Sequence, residues 1–184
     1  MRFFNSRGDI EKNVHKLPHW KQGEVPVFVT FRLADSLPQE VLERWFSERE
    51  AFLRANPPPW DEATEACYHG RFSDALDEHL DAAHGCCALR DTRLAKIIVG
   101  RLHHFDGQRY QLWSYVIMPN HVHCLTTLSP SHKLEQVVKS WKGFSATSIN
   151  KHLDRTGALW QEDYFDRLIR DAEHFTNCVR YIRR

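Results

Sequence analysis

Apolar positions along the chain follow two spacings, and together these divide the sequence into strands and helices. Residues 25–33 (VPVFVTFRL) are rich in β-branched and aromatic side chains with rough alternation, which predicts a strand. Asp35-Ser36-Leu37-Pro38 reads as a turn and helix cap ahead of a helix over about 39–56, which Pro57-Pro58-Pro59 must end. A further helical stretch over about 71–83 closes at Gly85, so residues 57–90 read as a helical insertion after the first helix. Asp91 caps the next helix, to about 104, where Leu94, Ile97, Ile98 and Leu102 recur at helical spacing. Residues 110–118 and 121–128 are strand-like around a short Pro119-Asn120 connection, the signature of an antiparallel hairpin. A long helix over about 133–153 follows, then a loop with a short strand within 158–169. Asp171 caps a last helix, 171–184. The first twenty-odd residues, ending at Leu17-Pro18-His19-Trp20, read as polar and irregular.

This order predicts an α+β fold, an antiparallel sheet with helices packed on it, in a single domain of 184 residues. An apolar content of 42% suffices for a core. No apolar run reaches the roughly 18 residues of a membrane helix, the start has no signal-peptide pattern, and five cysteines without a C-x-x-C are poor disulfide or zinc arithmetic. The expectation is a cytoplasmic protein that binds no membrane.

Charge sharpens the picture once it is split. The net charge is +1, but residues 1–85 carry 10 basic and 15 acidic side chains and residues 86–184 carry 15 and 9. If a polyanion binds, the second half is the better face for it. Lys139, Lys142 and Lys151 lie along the long helix with Trp141 and Phe144 between them, a pattern open both to a DNA backbone contact and to an ordinary solvated helix face with Trp141 packed inward. Arg167, Arg170, Arg180, Arg183 and Arg184 add positive charge towards the end of the chain, and Arg32 in the first strand could neutralise a phosphate or pair with an acid.

His121-Val122-His123 supplies the candidate chemistry. In a strand both imidazoles share one face and Val122 points to the other, about 6.6 Å separating the pair along the chain. Neutral imidazoles so placed can converge on one divalent metal. With 12 histidines, however, about one such pair arises by chance, so the pair by itself reads better as two half-exposed strand histidines than as a metal site. On the last helix Phe175, Cys178, Val179 and Ile182 form one apolar stripe, and Tyr181 lies on its flank, placed either to cover the core edge or to offer its hydroxyl to a site. Tyr115 and Tyr164 are the rival tyrosines, the first inside an apolar strand, the second among Glu162, Asp163 and Asp166.

Four stretches carry a resemblance: Tyr115-Val116-Ile117-Met118-Pro119-Asn120-His121-Val122-His123; Val29-Thr30-Phe31-Arg32-Leu33-Ala34-Asp35-Ser36-Leu37-Pro38; Leu159-Trp160-Gln161 with Tyr164-Phe165-Asp166-Arg167; and Arg180-Tyr181-Ile182. In this order and spacing the sequence resembles the REP-associated tyrosine transposases, a branch of the single-tyrosine HUH transposases. The resemblance implies a ferredoxin-like or RRM-like α+β domain that works as a monomer or homodimer. It implies that His121 and His123 hold Mg²⁺ or Mn²⁺ and that Tyr181 attacks a phosphorus of single-stranded or hairpin DNA, leaving a 5′-phosphotyrosine link and a free 3′-OH. It also implies a further, polar metal ligand four residues beyond the tyrosine. That position is one past Arg184, so the tyrosine helix reads as cut short and metal binding as weakened, with Asn120 and Gln161 as other candidate site residues and Gln161 or water as the stand-in. The alternative function is a non-catalytic RRM-like module that holds hairpin or single-stranded nucleic acid.

Overall fold

The structure, a computed structural model, describes residues 1–5, 8–9, 11–14, 18–57 and 60–183. Leu17, Pro58, Pro59 and Arg184, which the sequence reading used, lie outside the described residues. The chain divides into two compact units, residues 1–34 with 88–184, and residues 35–87.

The first unit opens with a two-stranded antiparallel ribbon, β1 (Glu11–Val14) and β2 (Pro18–Lys21). This corrects the expectation of an irregular start. Neither strand alternates apolar and polar residues, so backbone pairing forms a ribbon that no side-chain pattern announces.

Its main body is a four-stranded antiparallel sheet made from β3 (Val27–Arg32), β4 (Tyr110–Ile117), β5 (His121–Leu128) and β6 (Phe165–Leu168). The strand order is β4-β5-β3-β6. Counted within the sheet alone, the connectivity is βαββαβ with the first and third strands central, the ferredoxin-like order. The fold class is therefore α+β, as the sequence predicts. Asp91 accepts from Arg93 N at 2.9 Å to start the helix called α4 below, and Asp171 accepts from His174 N at 2.7 Å to start the last helix, so both caps work as read.

Strand parity decides which residues go where. Val27, Val29, Phe31 and Leu33 from β3 and its end, with Val122 and Cys124 from β5, form one buried face. On that face pack α4 (Thr92–His103), through Leu94, Ile98 and Leu102, and α5 (Leu134–His152), through Val137, Val138 and Trp141. Trp141 Nε1 donates to Tyr110 Oη at 2.8 Å, and Tyr110 Oη donates to the Leu102 carbonyl at 2.7 Å, so one buried chain of hydrogen bonds ties α5, β4 and α4 together. The opposite face carries Phe28 and Leu125 and is covered by α6 (Ala172–Ile182), through Cys178 and Ile182.

The second unit is helical: α1 (Gln39–Ala55), α2 (Glu62–Tyr68), a π-helical turn (His69–Asp74) and α3 (Ala75–Asp81). The expected insertion thus contains more helix than its apolar spacing shows, because α2 begins well before residue 71. Phe72, Leu76 and Leu80 are its buried centre. Arg49 is buried too, donating from Nε to Tyr68 Oη at 2.6 Å with its guanidinium over the Trp45 and Tyr68 rings. Gly85 closes this unit at a φ of 86°, against the carbonyl of Asp35, where a Cβ would collide.

Candidate metal and nucleophile site

The site lies on the sheet face that α6 covers. Alternation along β5 sends His121 and His123 to this face, and register pairs His121 with Arg32 and His123 with Thr30 on β3. Both histidines are buried. Their Nε2 atoms converge to 2.8 Å.

Each ring is held from behind. Asn120 Oδ1 lies 2.7 Å from His121 Nδ1, and a carbonyl oxygen can only accept, so His121 carries its proton on Nδ1. His121 Nε2 is then an acceptor, which His123 Nε2–H satisfies. Thr30 Oγ1, 2.8 Å from His123 Nδ1, completes the series by donating its hydroxyl proton. Thr30 was not among the residues singled out from sequence. Its one sequence signal is parity: Thr30 and Arg32 are polar in a strand whose alternate positions are all apolar.

Burial pushes the His121 imidazole down to about 4. His123 lies well below its ordinary value, first through burial, then through the charges of His121 and Arg167. Both rings are therefore neutral at pH 7, the form that ligates metals. Ligating histidines characteristically donate their second ring N–H to a fixed partner, and Asn120 and Thr30 are those partners here. An ion between the two Nε2 atoms needs both lone pairs, so His123 must then carry its proton on Nδ1. Thr30 suits either tautomer because a hydroxyl both donates and accepts. The donor set fits a divalent cation.

Tyr181 comes to the same place from α6. Its hydroxyl is 3.4 Å from His123 Nε2, and its ring meets His123 at 5.2 Å and Phe28 at 6.1 Å. Phe28 also lies 5.3 Å from the His123 ring, so one phenylalanine backs both groups. Arg167 on β6 pairs in register with Phe28 and holds its guanidinium 5.5 Å from that ring. Arg32 is buried, and burial lowers its guanidinium to about 10.

The rival tyrosines are elsewhere. Tyr164 belongs to the core on the far side of the sheet, where burial and then Asp166, Asp163 and Glu135 push its phenol above the ordinary range. Tyr115 packs against that core, with its hydroxyl 3.1 Å from His103 Nε2. Gln161 donates its backbone N–H to the Arg32 carbonyl at 2.9 Å, and among the described residues its side chain has no hydrogen bond to either histidine. Lys142 donates to the carbonyl of Glu162 at 2.6 Å, and burial lowers its ammonium to about 8. Lys139 is exposed on α5, and Arg180 is exposed on α6, donating to Asn177 Oδ1 at 3.3 Å. Arg170 is half-buried at the start of the turn into α6, where its backbone N–H meets His174 Nδ1 at 3.3 Å.

Comparison with known proteins adds the following. The family described as "Transposase IS200 like" matches residues 91–184, just over half the chain and the part that contains both histidines and Tyr181. The search of curated proteins gave no match. Among solved structures, that of a REP-associated tyrosine transposase bound to a REP hairpin is similar over 88% of this chain and 66% of its own, with 13% identity and a TM-score of 0.45. A Deinococcus radiodurans R1 protein described as a transposase is similar over 96% of this chain and 93% of its own, with 18% identity and a TM-score of 0.37.

Proposed function

The chain belongs to the family of IS200-like transposases, and from that premise we propose that it nicks and rejoins single-stranded DNA at hairpin sequences through a covalent 5′-phosphotyrosine on Tyr181. One observation carries this reading: the Tyr181 hydroxyl and the convergent Nε2 atoms of His121 and His123 meet at one point on the sheet face.

The chemistry follows from that placement. A tyrosine oxygen attacks phosphorus, the bond from phosphorus to the neighbouring 3′ oxygen breaks, and that oxygen leaves as a 3′-OH. The energy of the broken ester is kept in the new one, so a second 3′-OH can reverse the step on another strand without a nucleotide cofactor. His121 and His123 would hold Mg²⁺ or Mn²⁺, which when bound supplies Lewis-acid polarisation of the phosphate. Asn120 and Thr30 fix the two rings. Phe28 limits the swing of the Tyr181 ring. Arg167 brings a positive charge to the same face, suited to the scissile phosphate, and Arg170, Arg180, Lys139 and Lys142 are proposed contacts for the flanking DNA backbone.

The test uses a labelled hairpin-bearing single strand with Mg²⁺ or Mn²⁺, resolved on a denaturing gel. A slow-migrating protein–DNA adduct that disappears in His121→Ala supports the reading. Binding in a native gel without any adduct favours a module that holds DNA and does not cut it.

A further inference from the structure

The seam between α4 and α5 lies on the opposite side of the sheet from the histidine pair and is rich in basic residues. From Thr92 to His103 there is no acid and there are three bases, Arg93, Lys96 and Arg101. From Leu134 to His152 there is one acid, Glu135, against Lys139, Lys142 and Lys151. The helices run antiparallel. Arg101, late in α4, donates to Ser140 Oγ at 2.6 Å in the middle of α5. Asp91, at the start of α4, is held low first by Arg93 and also by the charge of His152 at the end of α5.

Aromatic rings are set into this cationic seam. Phe144 is 52% exposed, although nothing in the sheet or core requires a phenylalanine there. The Arg101 guanidinium lies 4.8 Å from the Phe144 ring and 5.1 Å from that of Phe105, and Arg109 covers Phe105 at 3.5 Å. The result is a ladder of Arg109, Phe105, Arg101 and Phe144 along the seam. Helical spacing puts Lys151 on the Phe144 side of α5, seven residues beyond Phe144, and it is exposed. Asp91, at the start of α4, is already paired with Arg93 through a two-pronged contact.

We infer that this seam is a second nucleic-acid surface, taking unpaired nucleotides of a strand that extends beyond the reaction site. Guanidinium and ammonium groups match a phosphate backbone. A ring fixed on one face by an arginine and open on the other is suited to stacking a base, whereas a fully paired stem would leave it in water. The inference rests on the DNA-acting reading above and adds a site on the far side of the sheet.

The test is fluorescence anisotropy with labelled oligo(dT), a strand without secondary structure, at several salt concentrations. It is run on the full chain in EDTA and in a Tyr181→Phe background, so that nicking plays no part. Phe144→Ala is expected to weaken binding roughly fivefold or more, the loss of one stacked base. The pair Arg101→Gln with Lys151→Gln is expected to flatten the slope of affinity against salt by about two phosphate contacts. Arg54→Gln, in the other unit and ion-paired with Glu50, is the control and should change neither. Thermal unfolding of each variant checks that it is folded. Seam variants that bind oligo(dT) with wild-type affinity and salt slope overturn the inference while leaving the proposed function standing. Wild-type protein that binds no DNA at all overturns both.

Discussion

Thr30 Oγ1 stands 2.8 Å from Nδ1 of His123, the side of the ring that faces away from His121. A strand residue nearly a hundred positions distant in sequence thus sets the orientation of a candidate metal ligand.

Thr30→Val keeps the shape of this contact and removes the hydroxyl. Loss of such a partner typically costs about 10–100-fold in metal affinity. Mn²⁺ titration by calorimetry should show that loss for Thr30→Val and near-normal affinity for Thr30→Ser. Equal affinity in wild type and Thr30→Val contradicts the positioning role.

How much of this was legible beforehand can be judged from individual residues. That the two histidines share one strand face and that Tyr181 flanks an apolar helix stripe was readable, because alternation and helical spacing are local properties of the chain, whereas their roles at a site came only from the resemblance. The caps Asp91 and Asp171 were readable for the same reason. Thr30 and Phe28 were not, because their roles depend on the register of β3 against β5, which local pattern does not encode. The engagement of Lys142 with the carbonyl of Glu162 was likewise hidden, since it joins α5 to a turn twenty residues later. The ribbon of β1 and β2 escaped because backbone pairing alone makes it.

Metal-free protein should lose stability as pH falls below about 6.5. The sign follows from His121, whose folded-state value of about 4 is below its ordinary 6.5. Above 6.5 both folded and unfolded chains hold it neutral and the full stability is present. Between 6.5 and 4 the unfolded chain takes up a proton that the folded chain refuses, so unfolding becomes easier, by roughly 1.4 kcal/mol per unit of pH for one such group. His123, shifted in the same direction, adds to the effect. Urea titrations in EDTA at pH 7 and pH 5 test this against His121→Gln, which should show a shallower pH dependence. Parallel dependences contradict it.

Tyr110→Phe should destabilise the first unit by about 1–3 kcal/mol, because it strands the buried indole N–H of Trp141 and the Leu102 carbonyl. Urea denaturation followed by tryptophan fluorescence measures this. A change within 0.5 kcal/mol, roughly the span of a surface substitution, means that the buried chain contributes little.

Phe28→Leu keeps an apolar residue under the site but removes the ring that backs both His123 and Tyr181. Adduct formation should slow more than metal affinity falls, because the proposed nucleophile Tyr181 is loosened while the proposed ligands His121 and His123 keep Asn120 and Thr30. Equal losses in both would place Phe28 with the ligands alone.

The identity of the nucleophile is the centre of the proposed mechanism, and one measurement addresses it directly. The adduct formed with hairpin-bearing single-stranded DNA and Mn²⁺ is digested with protease and nuclease, and the nucleotide-bearing peptide is sequenced by mass spectrometry. The expected result is a phosphonucleotide on Tyr181, absent from Tyr181→Phe and retained in Tyr115→Phe and Tyr164→Phe. A modified Tyr115 or Tyr164, or an adduct that survives Tyr181→Phe, contradicts it.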